Sequence, residues 1–131
     1  MLRILAIDDS PSILQMAELI LTDAGYQVVT CTDGKEAIRL LRDESFDLIL
    51  TDIYMPDQDG LEVIRERRRL CPNVPVIAMS GMSGPHSMLG VAKQMGACQT
   101  VQKPFSRSDL LAAVEAALGA SPPGPEPAQR K

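Results

Sequence analysis

No apolar run in this sequence approaches the ~20 residues that a membrane-crossing helix needs. A surplus of positive charge is missing too. Thirteen lysines and arginines face seventeen aspartates and glutamates, for a net charge of −4 and a pI near 4.9. Such a balance leaves no general electrostatic footprint for nucleic acid, so direct binding of DNA or RNA is not expected. The three cysteines, Cys31, Cys71 and Cys98, are odd in number and far apart. They fit no CxxC metal or redox pattern and read as reduced thiols of a cytoplasmic protein. The N-terminus enters a strand-like pattern at once (Leu2, Ile4, Leu5, Ile7), without the ordered segments of an export signal. A GxGxxG dinucleotide loop and a repeat at solenoid spacing are also lacking.

What is present is an alternation of apolar runs and amphipathic stretches. The chain is long enough for one domain with a substantial core, and 45% of it is apolar. Leu2–Asp8 is a short apolar run ending in acid. Ser12–Ala24 carries Ile13, Met16, Ala17, Ile20, Leu21 and Ala24 at the spacing of one helical face. Ser10 before Pro11 is a helix start, and Gly25 a stop. Strands are expected at Gln27–Cys31, Leu48–Asp52, Val74–Met79 and Cys98–Gln102. Helices are expected at Lys35–Glu44 with Asp33 as cap, at Leu61–Leu70, around Ser87–Met95, and at Ser106–Leu118. Five strands alternating with five helices predict an α/β fold, a doubly wound parallel sheet covered on both faces. The first, third and fourth strands are nearly all apolar, as central strands should be. After Leu118 the periodicity stops. Gly119–Lys131 contains four prolines, so the folded domain is expected over 1–119 and a Pro-rich disordered tail or linker over 120–131.

Ligands of open parallel sheets bind beyond the carboxyl ends of the strands. The first strand ends in Asp8-Asp9, the third in Asp52, the fourth in Ser80, and the fifth runs into Lys103-Pro104. If the first and third strands are neighbours, three carboxylates meet in one small space. Two unit charges ~4 Å apart repel by roughly 4 kcal/mol at an effective dielectric of 20, so the group calls for a cation or raised pKa values. An oxygen-only ligand set with room for water suits Mg²⁺, and with no His or Cys at these ends zinc is disfavoured. A carboxylate beside Mg²⁺, with an ammonium and a hydroxyl nearby, describes phosphoryl transfer to an aspartate. Asp52, alone on the middle strand, is the expected acceptor, with Asp8 and Asp9 holding metal. Taken singly, each of these residues has a plainer reading. Asp8 or Asp9 could cap a helix, Ser80 could belong to a turn, and Lys103 could be a solvated charge. Their convergence at one sheet edge favours the functional reading.

With Asp8-Asp9-Ser10, the stretch Asp47–Pro56 followed by Asp59-Gly60, then Pro75–Ser80 and Lys103-Pro104-Phe105, the sequence resembles the receiver domains of bacterial two-component response regulators over residues 2–118. The resemblance implies a flavodoxin-like three-layer sandwich with strand order 2-1-3-4-5. It implies that Asp52 takes phosphoryl from a phosphohistidine on a histidine kinase or histidine phosphotransfer protein. The Mg²⁺ shell would be Asp8, Asp9, Asp52 and the backbone carbonyl of Tyr54. Ser80 and Lys103 would each bind a phosphoryl oxygen. The output would be a changed protein-interaction surface on the fourth helix, fifth strand and fifth helix, offered to a downstream protein by a monomer or weak dimer. Such a domain catalyses only its own phosphorylation and dephosphorylation. At one position the chain departs from the pattern. Thr100 stands where relatives carry an aromatic ring that turns inward on activation, so a ring there cannot report the switch. Tyr54 and Met82, both bulky, occupy positions that tune phosphoryl lifetime in relatives and suggest slow self-dephosphorylation.

Three rivals are weaker, one of them a receiver-shaped interaction protein that is never phosphorylated. A small aspartate-based phosphatase usually carries a second aspartate two residues after its nucleophile, where this chain has Tyr54. A flavin domain would want a hydroxyl- and glycine-rich phosphate loop after the first strand, where Asp8-Asp9 would repel phosphate. The basic run Arg65–Arg69, with Glu66 inside it, reads as the solvated face of a helix rather than a nucleic-acid patch.

Overall fold

The computed structural model describes residues 2–53, 60–81, 93 and 96–120. Strand β1 is Arg3–Ile7, β2 Gln27–Cys31, β3 Leu48–Asp52, β4 Val76–Ser80 and β5 Gln99–Gln102. They form one parallel sheet in the order β2-β1-β3-β4-β5. Helix α1 is Pro11–Asp23, α2 Gly34–Asp43 and α3 Gly60–Leu70, and a C-terminal helix spans Arg107–Ala120. The helix expected around Ser87–Met95 and most of the expected tail lie outside the described residues. Ala120, which opens that tail, closes the C-terminal helix.

Every residue of β3 and β4 is buried, and so are four of the five in β1. The strand pleat sends alternate side chains to opposite faces. Ile4, Ala6, Leu48, Leu50, Ile77 and Met79 therefore face one core with α1 and the C-terminal helix, completed by Leu14, Ala17, Leu110 and Val114. Leu5, Ile7, Ile49, Val76 and Ala78 face the other, with Ala37, Leu40 and Leu41 of α2 and Val63 and Ile64 of α3. The edge strands are only partly covered, which matches their mixed sequences.

The helix ends follow local chemistry. Ser10 caps α1, its hydroxyl accepting from the Ile13 N–H at 3.4 Å, with Pro11 in the first turn. At the other end Gly25 N–H donates to the Thr22 carbonyl and Tyr26 N–H to the Leu21 carbonyl, each at 3.0 Å. This paired pattern needs a left-handed residue, and Gly25 has φ +101°. Asp33 caps α2 by accepting from Lys35 and Glu36 N–H at 2.7 and 3.1 Å. Arg3 ties the start of β1 to the turn before β3: its N–H donates to Asp47, its guanidinium donates to the Ser45 carbonyl and Glu44, and it lies 4.7 Å from the Phe46 ring centroid.

One expectation needs correcting. The arginine run of α3 is not wholly a solvated face. Arg65 pairs with Glu62 and Arg69 with Glu66 on the outside, but Arg67 is 7% exposed. Val63, Ile64, Arg67 and Leu70 recur at the spacing of one helical face, and that face turns inward. Counting charges along the sequence does not register which face a residue takes.

Gly96 has φ +125°, and a Cβ there would lie 2.6 Å from Arg67 Nη2, whereas a Cβ at Gly25 meets nothing within 4 Å. Gly25→Ala is expected to lower unfolding free energy by about 1–2 kcal/mol through backbone strain alone. Gly96→Ala is expected to cost more, and urea unfolding of the two variants checks the order. Burial pushes the Cys31 thiol up to about 11 from 9.0, which lowers its thiolate fraction roughly a hundredfold at pH 8. Native chain treated with iodoacetamide at pH 8 should therefore leave Cys31 unmodified while urea-unfolded chain reacts. Because the raised value belongs to the folded state, native stability should fall on the alkaline side as pH rises through 9 toward 11.

Candidate functional site

The strand order sets β1 and β3 side by side, with Ile7 in register with Thr51. Their carboxyl ends therefore deliver Asp8, Asp9 and Asp52 to one spot. One carboxylate oxygen from each lies within 4.8 Å of the others. Asp8 and Asp52 are buried, at 0% and 3% exposure, while Asp9 is open to solvent.

Asp8 and Asp52 are each held from more than one side. Asp8 N–H donates to the Cys31 carbonyl at 3.2 Å, which ties the first acid to the end of β2. Asp8 Oδ1 accepts from Ser10 N–H at 2.9 Å, so the residue that caps α1 also orients a site carboxylate. Asp8 Oδ2 accepts from Lys103 Nζ at 2.9 Å, and the same ammonium stands 3.4 Å from Asp52 Oδ1. Thr51 is buried next to Asp52, and its hydroxyl donates to the Asp52 carbonyl at 2.9 Å.

Lys103 reaches the carboxylates from the end of β5. Its N–H donates to the Ser80 carbonyl at 2.8 Å, extending the β4–β5 pairing by one step and keeping the end of β4 beside it. Ser80 is fully buried. The Lys103-Pro104 peptide is cis, and Phe105 behind it sits in the core against the C-terminal helix. Burial alone would pull the Lys103 pKa down. The hydrogen bond to Asp8 and the charges of Asp52 and Asp8 outweigh it and hold the pKa above the usual lysine value. The ammonium thus stays charged across the neutral and mildly alkaline range, and the stability that its contacts provide is lost only as pH climbs past that raised value.

One ammonium offsets one of three carboxylate charges. The remaining excess of acid, all oxygen donors, with one member open to solvent, suits a hard divalent cation that keeps part of its water. Oxygens bound to one octahedral ion at ~2.1 Å stand about 3–4 Å apart, the scale of this cluster.

Asp8, Asp9, Asp52 and Lys103 are thus brought together, and Ser80 is joined to Lys103 through the backbone. Tyr54 and Met82 lie outside the described residues. Two contributors were not singled out from the sequence: the Thr51 hydroxyl, for which the sequence carries no signal, and the Cys31 carbonyl, a backbone group that only the strand order brings near Asp8. Thr100 is half-buried on β5. It lines an open groove of about 780 Å³ with Val101, Ala112, Ala113 and Ala116, between β5 and the C-terminal helix.

Comparison with known proteins agrees with this geometry. The family model for the response regulator receiver domain matches residues 4–115. The transcriptional regulatory protein GlrR of Escherichia coli is 33% identical over 121 residues, which is 92% of this chain and 27% of that protein. The chain thus spans about a quarter of that relative's length. Among solved structures, the chemotaxis response regulator CheY4 of Vibrio cholerae is 34% identical with a TM-score of 0.83, covering 90% of this chain and 99% of that one. The receiver domain of a Pseudomonas aeruginosa sensor histidine kinase, with a magnesium ion coordinated in its active-site cleft, is 29% identical with a TM-score of 0.82, covering 91% and 98%. By the family model over residues 4–115, the chain belongs to the response regulator receiver domain family, the phosphoryl-accepting modules of two-component signalling.

Proposed function

We propose that Asp52 is the phosphoryl acceptor, and that Asp8 and Asp9, with Asp52 and the Tyr54 backbone carbonyl, hold Mg²⁺ beside it. The observation that carries this reading is the position of Asp52: buried at the end of the central strand, inside a three-carboxylate cluster, with Lys103 Nζ 3.4 Å from Oδ1. An Asp52 oxygen forms the bond to phosphorus while the donor's bond to phosphorus breaks. For a phosphohistidine donor that is the P–N bond, and its electron pair leaves with the imidazole nitrogen. Mg²⁺ held by Asp8, Asp9 and Asp52 would supply charge neutralisation for the transferring group. Lys103 supplies a fixed ammonium at the same edge and offsets charge on the phosphoryl oxygens. Ser80, at the end of the adjacent strand, offers a hydroxyl to another oxygen once the group has arrived.

The donor proposed is a histidine kinase or a histidine phosphotransfer protein, and the receiver of the signal a downstream protein. The working domain is 1–119, with 120–131 as a tail or linker. The output face includes β5, the C-terminal helix and the segment around Ser87–Met95. Thr100 is a small residue over an open groove, so the output depends on movement of backbone and helices rather than on turning a ring at that position. Phosphorylation adds a charge of about −1.5 to −2, less the carboxylate charge it consumes, which is the local change that biases the two surfaces.

Incubating the chain with acetyl phosphate and Mg²⁺ should give a single phosphoryl adduct by intact mass, and Asp52→Asn should give none. An equal adduct on the variant overturns the assignment of Asp52. Asp9→Asn, which alters the exposed acid, should weaken Mg²⁺ binding by at least about tenfold in a titration monitored by Mn²⁺ competition, since one oxygen ligand is lost. Unchanged affinity removes Asp9 from the metal shell.

A further inference from the structure

Arg67 is the one buried cation among the described residues that touches no carboxylate. Its Nη1 donates to the Pro72 carbonyl at 3.0 Å and its Nη2 to the Gly96 carbonyl at 3.4 Å. Its Nε has no hydrogen-bond partner. Burial pulls its pKa below the usual arginine value, the direction expected of a charge taken from water without a counter-charge. For stability alone this is a poor use of an inward-facing helix position, because an apolar side chain of similar volume is often neutral or better there.

The two carbonyls explain what the guanidinium does there. Pro72 lies in the turn leading to β4, and Gly96 in the turn leading to β5. Just beyond them Cys98 N–H donates to the Val76 carbonyl at 2.9 Å, which begins the pairing of these two strands. At the far end of the same pair, Lys103 N–H donates to the Ser80 carbonyl. The strand pair that presents Ser80 and Lys103 is therefore held at both ends, by backbone pairing at the site and by Arg67 at the opposite edge. A planar fork with fixed donor directions suits a two-carbonyl bridge, which a lysine point charge does not. The close fit of Gly96, with room for no Cβ beside Nη2, leaves the bridge little freedom to shift.

We infer that Arg67 is a latch: its guanidinium bridges the Pro72 and Gly96 carbonyls and fixes the amino-terminal end of the β4–β5 pair, setting how often that end opens. The latch gives up some global stability for a local constraint. Local opening is distinct from global unfolding and is read by amide exchange.

The test uses the full chain with Arg67→Met and Arg67→Lys. In Arg67→Met the urea midpoint is expected to stay the same or rise, while exchange of the Gly96 and Cys98 amides speeds up by about tenfold or more and that of Lys103 changes little. Arg67→Lys keeps a buried charge but loses the fork, so it should lose both the local protection and part of the global stability. Unchanged exchange at Gly96 and Cys98 in Arg67→Met overturns the latch. So does a fall in urea midpoint that accounts for the faster exchange, since Arg67 would then be an ordinary part of the folded core. Acetyl phosphate labelling of Asp52 does not enter this outcome, so the latch and the phosphoryl-acceptor reading stand or fall separately.

Discussion

Three carboxylates crowded against one ammonium are the constraint around which this molecule is built. Left in water these side chains would separate. The sheet prevents it by ending β1 and β3 side by side, so that Asp8, Asp9 and Asp52 have oxygens within 4.8 Å of one another. Lys103 comes from the other side, two strands away from β3. The electrostatic cost of that gathering is met by the fold: each of β1, β3 and β4 is buried on both faces, and dispersion and apolar burial over these strands supply the stabilisation that the site consumes.

The two ends of the sheet carry different kinds of polar burial. At the carboxyl edge, excess negative charge is partly compensated by Lys103. At the amino edge, Arg67 is a buried positive charge served, among the described residues, by two carbonyls. Both arrangements bear on the same strand pair, β4 and β5. A receiver must hold two surfaces of similar energy, since a phosphoryl group shifts a balance only by its different interaction with each state.

Much of this was legible without coordinates. Apolar runs marked β1, β3 and β4, since strands buried on both faces need continuous apolar sequence. Helical spacing, the Ser10 and Asp33 caps and the Gly25 stop placed the four described helices to within a residue or two, because capping is a local transaction between neighbours in the chain. The acidic and basic residues at strand ends stood out because parallel sheets bind ligands at that edge. What escaped was nonlocal. Arg67 looked like one more solvated arginine until α3 was set against the sheet with that face inward. The Ser10 N–H and the Thr51 hydroxyl gained their roles only from the positions of Asp8 and Asp52.

By itself the sequence determined the order of the described elements, the α/β class and the residue types at the strand ends, because periodicity, capping and turn preference act over a few residues. The tertiary structure decided which strand ends meet, that Lys103 contacts Asp8 more closely than Asp52, and that one arginine of a charged run lies inside. Those outcomes depend on strand order and helix rotation, which are set by packing between segments far apart in the chain.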